Sequence, residues 1–145
     1  MFKTAPGDAR SVGRMAPTFN AIGLAVADMA TSLSFYRRLG LDIPAAADHE
    51  PHVEVELPGG VRLIWDTHAV LRSFDPGFTP GAGGPSLAFR CADPAEVDAV
   101  HAELVAAGHQ SARPPWDAEW GQRYALVRDP DGHSVDLFAW VKAPG

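Results

Sequence analysis

The order of secondary-structure signals in this chain runs twice, and that repetition constrains the fold more than any other feature. Residues 19–27 alternate, with Ile22, Leu24 and Val26 on one side and Ala21, Gly23 and Ala25 on the other, the period of a β-strand. Asp28 offers an N-cap to a helix carrying Met29, Leu33, Tyr36 and Leu39 at helical spacing, and Gly40 ends it. Short strands are expected over 41–43, 52–57 and 61–66, the last two joined by a turn at Pro58, Gly59 and Gly60. The pattern then restarts. A strand is expected over 86–91, and Asp93, Pro94 and Glu96 open a second helix that stops at Gly108. Further strands follow near 110–113, 123–128 and 134–141, with Asp129-Pro130-Asp131-Gly132 as the last turn. Asp28 and Asp93 lie 65 residues apart, and Gly40 and Gly108 lie 68 apart.

Helix caps alone recur by coincidence, but strand, helix and turn signals recurring together in one order mark an internal duplication. The expected fold is therefore α+β, one domain of two tandem β-α-β-β-β units. The first unit covers 18–71 and the second 86–141. Residues 72–85, rich in Gly and Pro, read as a connector, and 1–17 as a flexible leader without the apolar run of a signal peptide.

Composition limits what such a domain can do. At 145 residues, 46% of them hydrophobic and 21% charged, the chain holds one core and is not disordered. The net charge of −6, without a Lys/Arg run, gives no basic face for nucleic acid or an anionic membrane. No apolar stretch approaches the roughly 20 residues needed to span a bilayer. Cys91 is alone, so no internal disulfide forms and a cytoplasmic setting is the expectation.

Two phrases carry a family resemblance: Val26-Ala27-Asp28 with Phe35-Tyr36-Arg37-Arg38-Leu39-Gly40, and Asp129-Pro130-Asp131-Gly132-His133-Ser134-Val135-Asp136-Leu137. They resemble the vicinal-oxygen-chelate superfamily, which includes glyoxalase I, extradiol dioxygenases and the bleomycin- and fosfomycin-resistance proteins. The resemblance extends over about 19–141. It implies that each unit curls into half of a barrel-like groove, helices outside and ligand inside, with the groove completed in a homodimer. In the metal-dependent members, His, Gln or Glu ligands sit on the first and last strands of the two units. Those positions fall here on Ala21, Ile64, Ser86 and Asp136. Alanine and isoleucine have no donor atom and a neutral serine is a poor ligand, so one carboxylate stands where three or four ligands are needed. The resemblance therefore implies a member without metal or other cofactor.

Strand alternation puts the small residues Ala21, Gly23, Ala25, Ser86 and Ala88 on the side away from the helices. Arg62, Ile64, Asp66, Arg90, Asp136, Phe138 and Trp140 point the same way. Such an apolar-aromatic wall with a few charges is the usual composition of a small-molecule site; a structural salt-bridge set inside a dimer is the other reading. Trp116 and Trp120 are expected in a loop after Pro114 and Pro115. Trp120-Gly121, before the strand that bears Tyr124, resembles the tryptophan-glycine segment with which bleomycin-resistance proteins stack on planar drug groups. Phe74 and Phe78 are placed to close the other side. These rings either stack on a ligand or plug the groove mouth or a dimer interface. His49 and His52 read as surface histidines, His68 and His109 as isolated, His101 as lying on a helix surface, His133 as solvated after its turn, and Cys91 as a buried structural thiol. Neither a nucleophile elbow nor a phosphate loop is present. The expected function is metal-free sequestration of a planar or aromatic molecule such as an antibiotic. The alternatives are a lyase or dioxygenase of the glyoxalase kind, or an enzyme using Asp136 as base with Arg90 or Arg62 holding an enolate or carboxylate.

Overall fold

Asp28 and Asp93 each cap a helix as their positions predict. In the computed structural model, which describes residues 18–81 and 84–141, Asp28 Oδ1 accepts the Thr31 N–H at 2.9 Å and Asp93 Oδ1 accepts that of Glu96 at 2.8 Å. The helices they open are α1, Met29–Arg38, and α3, Pro94–Ala106. The Glu96 carboxylate reaches back to the Ala92 N–H rather than to that of Asp93, one residue beyond the usual reciprocal cap. Both helices end on a glycine at positive φ, Gly40 at 95° and Gly108 at 94°, a backbone conformation that side chains other than glycine adopt at a cost. The drift of the repeat from 65 to 68 residues equals the difference between the 10 residues of α1 and the 13 of α3.

The strands fall into two sheets. In the first, β1 (Ala21–Val26) lies parallel to β3 (Arg62–Thr67), which pairs antiparallel with β2 (His52–Glu56), in the order β1-β3-β2. In the second, β4 (Leu87–Arg90), β5 (Ser111–Asp117), β6 (Gln122–Arg128) and β7 (Ser134–Trp140) stand in the order β4-β7-β6-β5, with β4 and β7 parallel. The mixed α+β architecture is as expected, with one sheet of three strands and one of four.

Three local expectations are corrected. Residues 41–43 form no strand. Pro44 blocks continuation, and Arg37 donates to the carbonyls of Ile43 and Pro44, both at 2.8 Å, taking acceptors a ladder would need. A 3-10 turn, Ala45–His49, follows instead, and the first sheet has three strands. The connector expected over 72–85 begins in a helix, α2, His68–Phe74, capped by Thr67 Oγ1 on the Val70 N–H at 3.3 Å. Strand β5 runs through Pro114 and Pro115 to Asp117, so Trp116 is a strand residue and not a loop residue. Proline is tolerated there because β5 is an edge strand with bulges on either side of Arg113. The leader expected over 1–17 lies outside the described residues.

One core joins the two units. Leu24, Val26, Leu63 and Trp65 of the first sheet meet Leu33, Phe35 and Tyr36 of α1, and the same cluster continues into Val97, Leu104, Val127, Val135 and Leu137. Each such side chain stabilises the fold by about 1.5–3 kcal/mol on burial. Polar ties cross the same junction. The Tyr36 hydroxyl donates to Asp129 Oδ2 at 2.7 Å, and the Ala27 N–H donates to Asp131 Oδ1 at 2.8 Å. Burial, then the Asp129 carboxylate, pushes the Tyr36 phenol well above its ordinary range, so it remains a donor.

Candidate functional site

Because alternate strand residues face opposite ways, helices covering one face of each sheet leave the other face open. On the first sheet the buried face holds Leu24, Val26, Leu63 and Trp65, and the open face holds Ala21, Gly23, Ala25, Arg62, Ile64, Asp66, His52 and Glu54. On the second sheet, Ala125, Val127, Val135, Leu137 and Ala139 are buried. The open face is read from the cross-strand register. Trp116 stands opposite Tyr124, Tyr124 opposite Phe138, and Phe138 opposite Arg90. The neighbouring row runs Arg113, Leu126, Asp136, Ala88.

That register builds a continuous aromatic wall. Trp116 and Tyr124 meet edge to face at 5.6 Å between centroids, Trp120 meets Trp116 at 6.1 Å and Tyr124 at 5.4 Å, and Phe138 stacks on Tyr124 at 6.2 Å. Such pairs contribute about 0.5–1.5 kcal/mol each beyond their buried area. Trp120 is nonetheless 53% exposed and Trp140, beyond the cluster's end, 42%. The Trp120 indole N–H donates to Gln122 Oε1 at 2.9 Å, which fixes the ring's direction. The Arg113 guanidinium lies 3.5 Å over the Trp116 ring. Tyr124 donates its hydroxyl to Asp136 Oδ2; burial first, and then this carboxylate, push the phenol up to about 12.

The open face of the first sheet carries charge instead of rings. Asp66, 9% exposed, holds His52 Nδ1, and His52 Nε2 meets Glu54 Oε2 at 2.8 Å. Arg62 joins Glu54 at 2.7 Å and Asn20 at 2.8 and 3.0 Å. Hydrogen bonds to Glu54 and then Asp66 hold the His52 imidazole above its ordinary range, and Arg62 and then His52 hold Glu54 below the usual carboxylate range. Both ring nitrogens can donate to carboxylates only in the imidazolium form.

A cavity of about 570 Å3 opens where the two units meet, lined by Gly23 and Ala25 of β1, His68, Phe78 and Asp131 among others. His133, expected to be solvated, is 8% exposed there. Its Nε2 donates to the Ala25 carbonyl at 3.0 Å, and its ring is held under Gly84, where an added Cβ would come within 2.6 Å of Nδ1. The turn points it inward because Asp129 Oδ1 accepts the N–H groups of both Asp131 and His133. Of the expected site residues, Trp116, Trp120, Tyr124, Asp136, Phe138, Trp140 and Arg90 share one face. Arg62 and Asp66 lie on the other sheet, bound to their neighbours. Phe78 lines the junction cavity beside His68 at 5.5 Å between centroids, and Phe74, 67% exposed at the end of α2, joins neither group. Cys91 is buried, and burial, then Glu96 and Asp93, push its thiol up to about 11, which suits a structural residue.

The residues at the ligand positions implied by the resemblance do not fit a metal ion. Ala21 and Ile64 lack donors, Ser86 precedes β4, and Asp136 Oδ2 is taken by the Tyr124 hydroxyl. Among the described residues no group of three or more His, Cys, Asp or Glu side chains is arranged to hold one.

Residues 18–137 match the Glyoxalase/Bleomycin resistance protein/Dioxygenase superfamily. The chain belongs to that superfamily. It is similar in structure to a glyoxalase/bleomycin resistance protein/dioxygenase from Nocardioides, 24% identical over 94% of this chain and 92% of that one, with a TM-score of 0.69. A glyoxalase-related enzyme from Fulvimarina pelagi is 25% identical over 86% of this chain and 88% of its own, with a TM-score of 0.69. A protein of unknown function from Agrobacterium tumefaciens is 26% identical over 89% and 98%, at 0.64. No curated protein matches the chain. Among the described residues no helix is long and apolar enough to cross a membrane.

For a member of this superfamily, the residues that sequence reasoning passed over are informative. His52 and Glu54 alternate with the inward Val53 and Val55, so their open-face position is readable from the strand phase. Arg113 is hidden by the bulges, which break the alternation that would place it beside Trp116.

Proposed function

We propose that this chain is a metal-free small-molecule-binding protein that sequesters a planar or aromatic ligand on the open face of its second sheet. The observation that carries this reading is the continuous cluster of Trp116, Trp120, Tyr124 and Phe138, which leaves Trp120 53% exposed. Rings serving only to fill a core would be buried, as Trp65 is on the opposite side of its sheet. A rigid indole face stacks on a planar ligand at low entropic cost. The superfamily to which the chain belongs includes bleomycin-resistance proteins, which supports a planar antibiotic as the first ligand to try. The small side chains of Ala21, Gly23 and Ala25 leave the first sheet's open face shallow, and we propose that a second copy of the chain completes the groove there.

The test is quenching of intrinsic fluorescence by planar antibiotics and aromatic metabolites. Saturable quenching that Trp120→Phe or Trp116→Phe weakens, and Trp65→Phe does not, supports the reading. Binding that only Trp65→Phe weakens overturns it. Sedimentation showing a 15.4 kDa monomer at micromolar concentration would refute the paired groove. A second reading, turnover of a small oxygenated substrate, draws on the hydrogen-bonded Tyr124–Asp136 pair as an acid–base couple and on the enzyme described from Fulvimarina pelagi. It requires that a ligand bound at the wall be chemically changed, which NMR of the recovered ligand decides.

A further inference from the structure

The charges on the wall narrow the ligand further. The open face of the second sheet carries three guanidiniums, Arg90 on β4, Arg113 on β5 and Arg128 on β6, against one carboxylate, Asp136. None of the three lies within 4.0 Å of a carboxylate oxygen among the described residues, whereas Arg37, Arg38, Arg62 and Arg123 all do. Two of the three have other partners on the same face: Arg113 covers the Trp116 ring and Arg128 donates to Ser134 Oγ at 2.7 Å. Arg90 is exposed and makes no side-chain hydrogen bond among the described residues. In the cross-strand register it ends the row Trp116, Tyr124, Phe138, so the row carries three ring residues and then a cationic one. An excess of cations on one face of a chain whose net charge is −6 calls for a ligand that supplies the anion.

We infer that the ligand is a planar aromatic anion, an arenecarboxylate or its equivalent, stacked along Tyr124 and Phe138 with its acid group on the Arg90 guanidinium. This rests on the proposed function and names the ligand class of the same site. A guanidinium fork matches a carboxylate in two parallel hydrogen bonds, and a charge-assisted pair of this kind exceeds a neutral one in strength. The competing anchor is Asp136 on the neighbouring row, which would select a cation. It is half-buried, and one of its oxygens already accepts the Tyr124 hydroxyl, so it is the less available of the two.

Three matched probes separate these outcomes: 2-naphthoate, 2-naphthylmethanol and 2-naphthylmethylammonium, titrated calorimetrically at low salt. The expected result is naphthoate binding about tenfold more tightly than the alcohol. Arg90→Gln should bring naphthoate to within about threefold of the alcohol, with naphthoate losing more affinity than the alcohol, and Arg90→Lys should restore part of the difference. Rising salt should shrink the naphthoate advantage in the wild-type protein and not in Arg90→Gln. Equal binding of naphthoate and alcohol, or tightest binding of the ammonium probe with its loss in Asp136→Asn, overturns the anion inference and leaves planar stacking standing. Failure of all three probes to bind up to millimolar concentration overturns both.

Discussion

The two sheets of this chain share a parallel pairing of first and last strands but present different chemistry on their open faces. Gly23 of β1 stands opposite Ile64, and Ala88 of β4 stands opposite Asp136 in the same parallel arrangement. One position along, Ala25 faces Asp66, whereas Arg90 faces Phe138; and His52 across from Asp66 takes the place that Tyr124 holds across from Phe138. On the first face, carboxylates, imidazole and guanidinium satisfy one another in a chain from Asp66 through His52 and Glu54 to Arg62 and Asn20. On the second, rings occupy the equivalent positions, and the guanidinium at the row's end has no carboxylate partner among the described residues. The two frames thus differ at the exposed positions while the helix-facing ones are apolar in both, because only the latter are tied to packing. Self-compensated charge suits a supporting face, and uncompensated rings and cations suit a binding face.

Substitutions at the two kinds of position sharpen that contrast. The largest effect is expected from Trp65→Ala, on the buried side of the first sheet, which should cost about 3–5 kcal/mol in denaturant unfolding. Trp120→Ala on the open face, which loses two edge-to-face pairs and one exposed hydrogen bond but no buried volume, should cost less, about 1–2 kcal/mol. Comparable losses at both would mean that the wall is a core and the contrast between faces is false.

Next comes affinity. Tyr124→Ala should weaken binding of 2-naphthoate by about tenfold, from lost stacking, while His52→Ala should change it by less than about twofold. The reverse ranking would transfer the site to the first sheet.

A smaller effect concerns pH. His52 is held above the ordinary histidine pKa, so its favourable interactions are complete below the unfolded value of about 6.5 and fade as pH rises through the folded value. Its imidazole should titrate above 6.5 by NMR, and Glu54→Gln should lower the midpoint more than any single change on the second sheet. A midpoint at or below the unfolded value would remove the carboxylate clamp from the account. Smallest of all is the response to chelators. EDTA should leave ligand affinity within about twofold, because Ala21 and Ile64 have no donor atom and the Ser86 hydroxyl is a poor ligand.

Much of the frame is legible in the amino-acid sequence itself. Caps at Asp28 and Asp93 and stops at Gly40 and Gly108 depend on local chemistry, which a sequence states directly. The phase of the strands is legible too, placing Trp65 inward and Asp136 and Phe138 outward. What escapes is set at longer range. Arg37 captures the carbonyls that a strand at 41–43 would use, and the tether of His133 to Ala25 O joins residues 108 apart. The bulges that turn Arg113 onto Trp116 break the very alternation from which faces are read. The site is therefore legible as a set of rings and less so as an arrangement of charges.

The central claim, that the ligand lies against the second sheet's open face, is tested most directly by labelling the four tryptophans with 5-fluorotryptophan and following the fluorine NMR spectrum during a naphthoate titration. Resonances are assigned from single Trp→Phe variants. The account predicts saturable shifts at Trp116 and Trp120 with one shared midpoint, and a Trp65 resonance that does not move. Saturation of binding with Trp116 and Trp120 unmoved, or with Trp65 alone responding, would contradict it.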